Sequence, residues 1–376
     1  MAVKKKKVCI LQNGLARGGT DTFVVNLCKA IDKNMFEITI VNPSSKANNR
    51  VCEPEILTSG VKIIHTSDLD GGLKSKFHHF KKLYHILKKG EFDVFQTNID
   101  LFNGPNLFVA WCAGVPIRCC HSHNTMQQRA LVQGMTLSVR IYQSVMKWLC
   151  WHFSNRRVGC SKAAMDFLFT GYNWNQKQYP IVINNGIDIE KFRQLFDVEK
   201  KKRELGLTAK YNVVTVGRII PQKNPLFIAE VFSEFCKLYS DCDLVWVGTG
   251  PMDVECKQIL ADNGVQERVH FLGSRSDVNE ILQCCDMFYM PSIFEGLGIA
   301  IIEAQAAGLP CLVSDAVPRE ADCGACHFVS LNEDKSVWVQ KMIDILECKI
   351  DLTVIEEKIQ LFSVAYMAKQ MQQVFK

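Results

Sequence analysis

The stretch VCILQNGLARGGTDTFVVNLCKAI, residues 8–31, decides the fold class of the chain. It opens with the apolar run VCILQ (8–12), which is typical of a strand buried on both faces of a parallel sheet. A glycine-rich turn follows, and TDTFVVNLCKAI (20–31) then spaces its apolar residues as a helix does. A buried strand that turns directly into a helix predicts a βαβ unit.

The same alternation of strand and helix continues along the first half of the chain and starts again in the second. Further predicted strands are residues 37–42, 61–65, 92–97, 117–122, 212–217, 243–248, 269–273, 286–290 and 310–314. Further predicted helices are residues 76–90, 225–239, 278–285 and 299–308. The charged segment 184–207 joins the two patterns. We therefore predict an α/β protein of two Rossmann-like domains, 1–187 and 188–355, that face a central cleft.

Composition is that of an ordinary globular protein. The chain has 376 residues, a length that favours two domains, with 48% hydrophobic and 22% charged residues. The apolar run after Lys4–Lys7 is too short for a signal peptide, and no stretch has the length of a membrane span. Seventeen cysteines are scattered through apolar runs, as core thiols are in a reducing compartment. These features predict a cytoplasmic location.

Charge is distributed unevenly between the halves. Residues 1–188 carry 24 Lys and Arg against 12 Asp and Glu, a net +12, whereas residues 189–376 carry 20 against 27, a net −7. Such asymmetry indicates that the first domain faces an anionic partner. Within it, KSKFHHFKKLYHILKKG (74–90) spaces Phe77, Phe80, Tyr84 and Leu87 as a helical stripe among lysines. This basic amphipathic helix can lie on an anionic membrane, or the stripe can pack on its own sheet.

Two glycine-rich or basic turns follow predicted strands. Gly18 and Gly19 allow close approach of the backbone to a phosphate at a helix N-terminus, although a simple tight turn explains them equally well. Arg218 and Lys223 stand just past a strand in VGRIIPQKNP (216–225). Together they can neutralise a diphosphate, and the alternative is a pair of solvated surface charges.

The stretch FEGLGIAIIEAQAAGLP (294–310) places two carboxylates eight positions apart. The backbone N–H groups of Leu297 and Gly298 can hold an anion at the start of the next helix. Glu303 can accept two hydrogen bonds from a ribose diol, and Glu295 can hold sugar hydroxyls. A structural salt bridge is the alternative for Glu303, because a carboxylate among apolar residues requires a partner.

Two short patterns raise the question of a metal. HSHN (121–124) ends a strand, so one of its histidines can contact a sugar hydroxyl. The two histidines also suggest a metal, but the sequence offers no obvious third ligand. Asp241-Cys242-Asp243 precedes a buried strand and is interpreted as a surface turn. We therefore expect neither a metal nor another cofactor.

Several motifs together resemble the family 4 glycosyltransferases, which are retaining enzymes of the GT-B fold. These motifs are NNGIDIEKF (184–192), VGRIIPQKNP (216–225), WVGTGP (246–251), FLGSRSDV (271–278) and FEGLGIAIIEAQAAGLPCLVSD (294–315). In the first half, GGTDTF (18–23) and HSHN (121–124) resemble the branch that builds bacterial capsular polysaccharides and exopolysaccharides. The resemblance also implies a C-terminal helix, 356–376, that packs back on the first domain.

The resemblance implies a role for each matching residue. Arg218 and Lys223 would bind the donor diphosphate, Glu295 would contact the donor sugar and His123 would lie near its hydroxyls; these four form the predicted catalytic set. The remaining donor-binding positions would be Gly18, Gly19, Gly248, Gly250, Arg275, Leu297, Gly298, Ile299 and Glu303. No metal is implied, because cationic side chains and helix N-termini would stabilise the leaving group.

The function implied is transfer of a sugar from a nucleotide diphosphate, UDP above all, to a lipid-linked saccharide in cell-surface polysaccharide biosynthesis. The enzyme would lie at the inner face of the plasma membrane, in peripheral contact through its basic first domain, and would bind no nucleic acid. Two alternatives stay open: a nucleotide-sugar 2-epimerase of similar architecture, and a non-enzymatic sugar-binding protein of two lobes.

Overall fold

A computed structural model of the chain describes residues 4–16, 18–126, 134–171, 179–347 and 353–376. The chain divides into two compact units, one formed by residues 1–187 with 361–376 and the other by residues 188–360. Each unit contains its own sheet, and all strand pairs within the two sheets are parallel. The two Rossmann-like domains predicted from the strand pattern are therefore confirmed.

In its described residues, the first unit forms a seven-stranded sheet of order β3-β2-β1-β4-β5-β6-β7. The strands are β1 (Lys6–Leu11), β2 (Phe36–Asn42), β3 (Lys62–His65), β4 (Val94–Thr97), β5 (Ile117–Ser122), β6 (Arg156–Gly159) and β7 (Ile181–Val182). The helices are α1 (Gly19–Ala30), α2 (Glu53–Thr58), α3 (Gly72–Gly90), α4 (Asn103–Cys112), α5 (Leu137–Phe153) and α6 (Lys162–Phe169). The order changes direction at β1, as in doubly wound sheets, which bind ligands at the carboxyl ends of their strands.

The two faces of this sheet carry separate layers of helices. Val8 and Ile10 of β1 face a core that includes α1 and α2, whereas Cys9 and Leu11 face a core built with α3, α4, α5 and α6. The alternation follows from the strand geometry, which sends successive side chains to opposite faces. Because the strands are parallel, the connecting helices return antiparallel to them.

The second unit repeats the plan with a six-stranded sheet, again within its described residues, of order β10-β9-β8-β11-β12-β13. The strands are β8 (Tyr211–Val216), β9 (Cys242–Val247), β10 (Val269–Gly273), β11 (Met287–Met290), β12 (Cys311–Ser314) and β13 (Cys326–Val329). The helices are α7 (Val198–Leu205), α8 (Pro225–Leu238), α9 (Asp253–Asp262), α10 (Val278–Gln283), α11 (Ile299–Ala306), α12 (Lys335–Glu347) and α13 (Thr353–Ile359). Every residue of β9 is buried, so neither face of this strand is exposed to solvent.

The C-terminal segment predicted as one helix over 356–376 forms two helices. The first, α13, belongs to the second unit, and α14 (Val364–Val374) packs on the first unit. Ser363 separates them, because its hydroxyl accepts a hydrogen bond from the backbone N–H of Tyr366 and so starts a new helix. Met367 and Met371 of α14 enter the core that contains α1.

Helix α3 buries only part of the predicted stripe. Leu87 of that stripe is buried together with Leu83 and His79, and Phe80 is half-buried, whereas Phe77 and Tyr84 are exposed. The ring of His79 is held by hydrogen bonds at 2.7 Å and 2.8 Å to neighbouring polar side chains, which makes its burial tolerable. The outward face of α3 is therefore both basic and partly aromatic.

The sixteen cysteines of the described residues are all free thiols. None of the described helices combines the length and the apolar composition that crossing a bilayer requires.

Candidate active site

In the second unit, two predicted site residues that lie 72 positions apart form an ion pair. Lys223 follows β8 and Glu295 follows β11, and Lys223 Nζ lies 2.5 Å from Glu295 Oε1. Both side chains are largely buried. The two loops are fastened to each other, since Ile293 N–H donates to the carbonyl of Gln222 at 2.8 Å. The parallel sheet thus brings a cation and a carboxylate together at the carboxyl ends of its strands.

Arg218 lies on the same loop as Lys223 and two residues beyond the end of β8. Its side chain is exposed, and no hydrogen bond or ion pair joins it to another residue within the described ranges. A guanidinium in this setting can bind an anionic ligand with two parallel hydrogen bonds. The loop therefore offers one cation that is paired inside the protein and a second that is available to a ligand.

Glu303 lies on α11, the helix that follows the Glu295 loop. Its side chain is half-buried, and burial raises its pKa to about 7 while Lys191 acts in the opposite direction. Within the described residues, the Glu303 carboxylate forms no ion pair and no hydrogen bond. The alternative of a structural salt bridge is therefore not observed in that part of the chain. A carboxylate with a raised pKa and a nearby cation is the kind of group found at functional sites.

The turn before α11 places backbone donors beside these side chains. Gly298 adopts φ +85° and precedes Ile299, the first residue of the helix, while Leu297 is buried. Among the described residues, no side chain caps this helix. The first N–H groups of the helix can therefore serve a ligand or water.

Gly248 and Gly250 have a packing role that the sequence did not reveal. A Cβ on Gly248 would lie 1.9 Å from the carbonyl oxygen of Gly217, and one on Gly250 would lie 2.1 Å from that of Ile219. The two glycines thus let the loops after β8 and β9 pack backbone against backbone. Their proposed part in a base pocket stays a prediction.

Arg275 is already engaged by a neighbouring carboxylate. Its Nε and Nη2 atoms lie 2.8 Å and 2.6 Å from the two carboxylate oxygens of Asp277, which also accepts from Lys201 at 2.7 Å. The hydrogen bonds from Arg275 hold the pKa of Asp277 well below its usual range. The predicted contact of Arg275 with a base stays a prediction and would compete with this ion pair.

In the first unit, the glycine turn before α1 is held by Asp21. One carboxylate oxygen accepts from the N–H groups of Ala16 and Gly18, each at 2.9 Å, and the other accepts from Gln12 at 2.8 Å. Gly18 N–H is therefore occupied, and Gly19 begins the helix. Any phosphate bound here would use the N–H groups of the first turn of α1 rather than that of Gly18.

Histidine 123 lies in a polar cluster at the carboxyl ends of β4 and β5. Its Nε2 is 3.4 Å from Asn98 Oδ1, and its ring lies 4.0 Å from that of His121. Four buried atoms of this cluster have no hydrogen-bond partner in the described structure: His123 Nδ1, His121 Nε2, Asn98 Nδ2 and Gln96 Oε1. Buried polar atoms are rarely left unpaired, so the cluster is suited to bind a polar ligand or water.

Both histidines of this cluster are neutral at physiological pH. Burial lowers the pKa of His123 to about 3, and burial, together with the neighbouring imidazole of His123, lowers the pKa of His121 well below its usual range. A neutral imidazole can donate one hydrogen bond and accept another but contributes no charge. His123 is thus suited to contact with hydroxyls.

Asp100 is a member of this cluster that sequence reasoning missed. It has φ +50°, which is uncommon for a residue other than glycine, and its carboxylate accepts hydrogen bonds from Asn124 Nδ2 and from the backbone N–H of His123. Burial raises its pKa. The polar residues Gln96, Thr97, Asn98 and Asp100, at and just past the end of a predicted strand, were the available signal.

Among the described residues, no three His, Cys, Asp or Glu side chains are placed to hold one ion. The interpretation of Asp241-Cys242-Asp243 as a surface turn is wrong for its last two residues, because Cys242 and Asp243 begin the buried strand β9. Asp243 accepts a hydrogen bond from His270 Nε2 at 3.0 Å.

Two family models match the chain and cover most of it. Residues 17–191 match the model described as Glycosyltransferase Family 4, and residues 210–348 match the model described as Glycosyl transferases group 1. EpsF of Bacillus subtilis, a protein classed as a glycosyltransferase, is 29% identical over 90% of this chain and 88% of its own length.

A second relative and a solved structure carry more specific names. The UDP-Gal:alpha-D-GlcNAc-diphosphoundecaprenol alpha-1,3-galactosyltransferase of Escherichia coli is 33% identical over 62% of this chain and 60% of its own length. The crystal structure of Anabaena HepE in complex with UDP and glucose superposes with a TM-score of 0.79 at 17% identity, covering 98% of both chains. At that identity the superposition shows the fold alone.

Proposed function

Because this chain belongs to the family 4 glycosyltransferases, we propose that it transfers a hexose or related sugar from UDP to a lipid-linked saccharide with retention of configuration. In this reaction the bond between the anomeric carbon and the diphosphate oxygen breaks. A bond from an acceptor hydroxyl oxygen to the same face of that carbon forms. The hydroxyl proton passes to the departing UDP, which balances the step.

The observation that carries the proposal is the Lys223–Glu295 ion pair, with Arg218 on the same loop and Glu303 on the following helix. Arg218 and Lys223 would stabilise the negative charge that develops on the diphosphate. As Lys223 turns to phosphate, Glu295 would accept hydrogen bonds from the donor sugar. Glu303, once ionised, would accept both hydroxyls of the ribose. These cations supply the charge stabilisation for which other transferases use a metal, so we propose that the reaction needs no metal.

The choice of UDP and of a lipid-linked acceptor draws support from a relative. The name of the Escherichia coli protein gives UDP-galactose as donor and a diphosphoundecaprenol-linked sugar as acceptor. The net charge of +12 on residues 1–188 suits an acceptor that carries a diphosphate at an anionic membrane surface. We therefore propose that the enzyme works as a peripheral protein at the cytoplasmic face of the membrane.

The test is release of UDP when the purified chain is incubated with individual UDP-sugars, membrane extract and EDTA. We expect release with one UDP-sugar, and its loss in Lys223→Ala and Glu295→Ala. The matched control is Glu255→Ala, which removes an exposed carboxylate of α9 and should leave release unchanged. Binding of a GDP- or ADP-sugar but of no UDP-sugar in a thermal-shift screen would refute the donor assignment. Loss of release in EDTA that Mg²⁺ restores would refute metal independence.

A further inference from the structure

We propose that the outer surface of α4 and α5 in the first unit docks on an anionic lipid bilayer and inserts its apolar side chains among the headgroups. The α4–α5 apolar surface consists of Phe108, Trp111, Leu137, Ile141, Val145 and Trp148. The inference rests on the proposed function in one respect, because a lipid-linked acceptor obliges the enzyme to reach a bilayer. The proposal places the membrane contact on α4 and α5, whereas the sequence pattern indicated the basic helix α3.

The surface is continuous across the two helices. Its six side chains are between 42% and 74% exposed. On α5, Leu137, Ile141, Val145 and Trp148 follow at steps of four, four and three residues, which places them on one side of the helix. Aromatic rings join this stripe to α4, since Phe153 lies 6.2 Å from Trp148 and 4.9 Å from Phe108. A contiguous exposed patch of this kind marks an interaction site more often than single exposed apolar residues do.

The charges around this surface select an anionic occupant. Helices α3, α4 and α5 contain no Asp or Glu. Helix α3 packs beside α4, with His79 of α3 hydrogen-bonded to Asn106 of α4 at 2.8 Å. Their basic residues are Lys74, Lys76, Lys81, Lys82, Lys88, Lys89, Arg140 and Lys147.

A bilayer fits this pattern better than a second copy of the chain. Two such surfaces placed face to face would bring only positive charges together, and no acidic residue of these helices would offset the repulsion. Tryptophan, phenylalanine and aliphatic side chains flanked by lysine and arginine are the composition of helices that lie in the membrane interface.

The position of the surface relative to the polar cluster fits a membrane-bound acceptor. Helix α5 follows β5, whose carboxyl end leads to His123, and it runs antiparallel to the strands. Leu137 therefore lies toward the edge of the sheet that carries His123, and Trp148 lies about 16 Å further along the helix. With α5 lying along the bilayer, the strands also run along it, so the edge that carries His123 would open parallel to the membrane surface, beside the headgroup layer where the diphosphate of a lipid-linked acceptor is found.

The test is sedimentation of the full chain with vesicles of phosphatidylcholine, with and without phosphatidylglycerol. We expect binding only to the anionic vesicles, and weaker binding at high salt. The triple variant Leu137→Ser, Ile141→Ser, Trp148→Ser should lose at least about tenfold in vesicle affinity. The matched control replaces three apolar residues of the second unit that are on average even more exposed, Leu195→Ser, Leu238→Ser and Val254→Ser, and should bind as the wild type does.

The outcomes separate this proposal from the proposed function. If the triple variant melts below the wild type, the single change Ile141→Glu carries the test, with the same loss expected. Binding by the α5 variants that equals the wild type would overturn the proposal. So would a dimer that light scattering detects in the wild type and not in the triple variant. Vesicle binding does not require catalysis. A chain that binds vesicles but releases UDP from none of the UDP-sugars tested would therefore refute only the transferase function.

Discussion

The raised pKa of Glu303 makes a sharp prediction for the change Glu303→Gln, which keeps the shape of the side chain and removes its charge. The pKa of Glu303 is about 7 in the folded protein against 4.5 ordinarily. Between these values the folded state holds the extra proton, so the free energy of unfolding falls as the pH rises from 4.5 and levels off above 7. At about 1.4 kcal/mol per pH unit, Glu303 costs the folded protein about 3 kcal/mol at pH 8.

Glutamine does not incur this cost. The free energy of unfolding of Glu303→Gln should therefore be close to that of the wild type near pH 5 and higher than that of the wild type at pH 8. For a unit of this size, about 3 kcal/mol corresponds to a melting temperature higher by roughly 6–12 °C. Binding of UDP should show the opposite preference, because the ribose hydroxyls require an ionised acceptor. With a pKa of about 7, only about a tenth of Glu303 is ionised at pH 6, so UDP should bind the wild type several-fold more weakly at pH 6 than at pH 8.

The assay is differential scanning fluorimetry of the wild type and Glu303→Gln from pH 5 to pH 8.5, with and without UDP. Glu255→Gln removes an exposed carboxylate from the same unit and should show no pH-dependent difference from the wild type. A constant difference in melting temperature between Glu303→Gln and wild type over this range would refute the raised pKa. Equal UDP affinity of the two proteins at pH 8 would refute the contact with ribose.

Three further predictions follow from contacts in the two units. Lys223→Met should destabilise the protein in chemical denaturation, because it removes a cation that lies 2.5 Å from the buried Glu295 carboxylate. The double variant Lys223→Met with Glu295→Gln should recover part of that stability but no UDP release. Gly248→Ala should prevent folding of the second unit, judged by circular dichroism, because its Cβ would overlap a backbone oxygen at 1.9 Å. Gly264→Ala, at φ +70° with open space around it, should cost only about 1–2 kcal/mol. Changing four lysines of α3 to Glu together should weaken sedimentation with anionic vesicles and leave UDP binding intact. These lysines are Lys74, Lys76, Lys81 and Lys82. Unchanged sedimentation would show that they contact solvent and not the membrane.

The residues of the candidate site differ in how far the sequence could identify them. Arg218, Lys223, Glu295 and Glu303 all follow predicted strands, and parallel sheets bind ligands at that end, so their general position was predictable. The pairing of Lys223 with Glu295 was not, because it joins loops 72 residues apart. Asp100 also escaped prediction, since its unusual backbone conformation and its bonds to the segment around His123 exist only after β4 and β5 lie side by side.

The sequence by itself determined the alternating α/β plan and the order of ten strands, but it missed the short strands β6, β7 and β13 and several helices, α2, α4, α5 and α6 among them. Strands buried on both faces leave an uninterrupted apolar signature, and a turn that leads directly from such a strand into a helix allows few arrangements besides a parallel sheet. Only the tertiary structure decided which face of α3 meets the sheet. The helix carries two apolar stripes that meet at Leu87: the predicted one runs through Phe77 and Tyr84, and the buried one runs through Leu83. Both satisfy helical spacing. Which stripe is buried depends on the side chains of the sheet and of α4 against which α3 packs. Those side chains lie elsewhere in the sequence, so the helical periodicity of α3 carries no information about them.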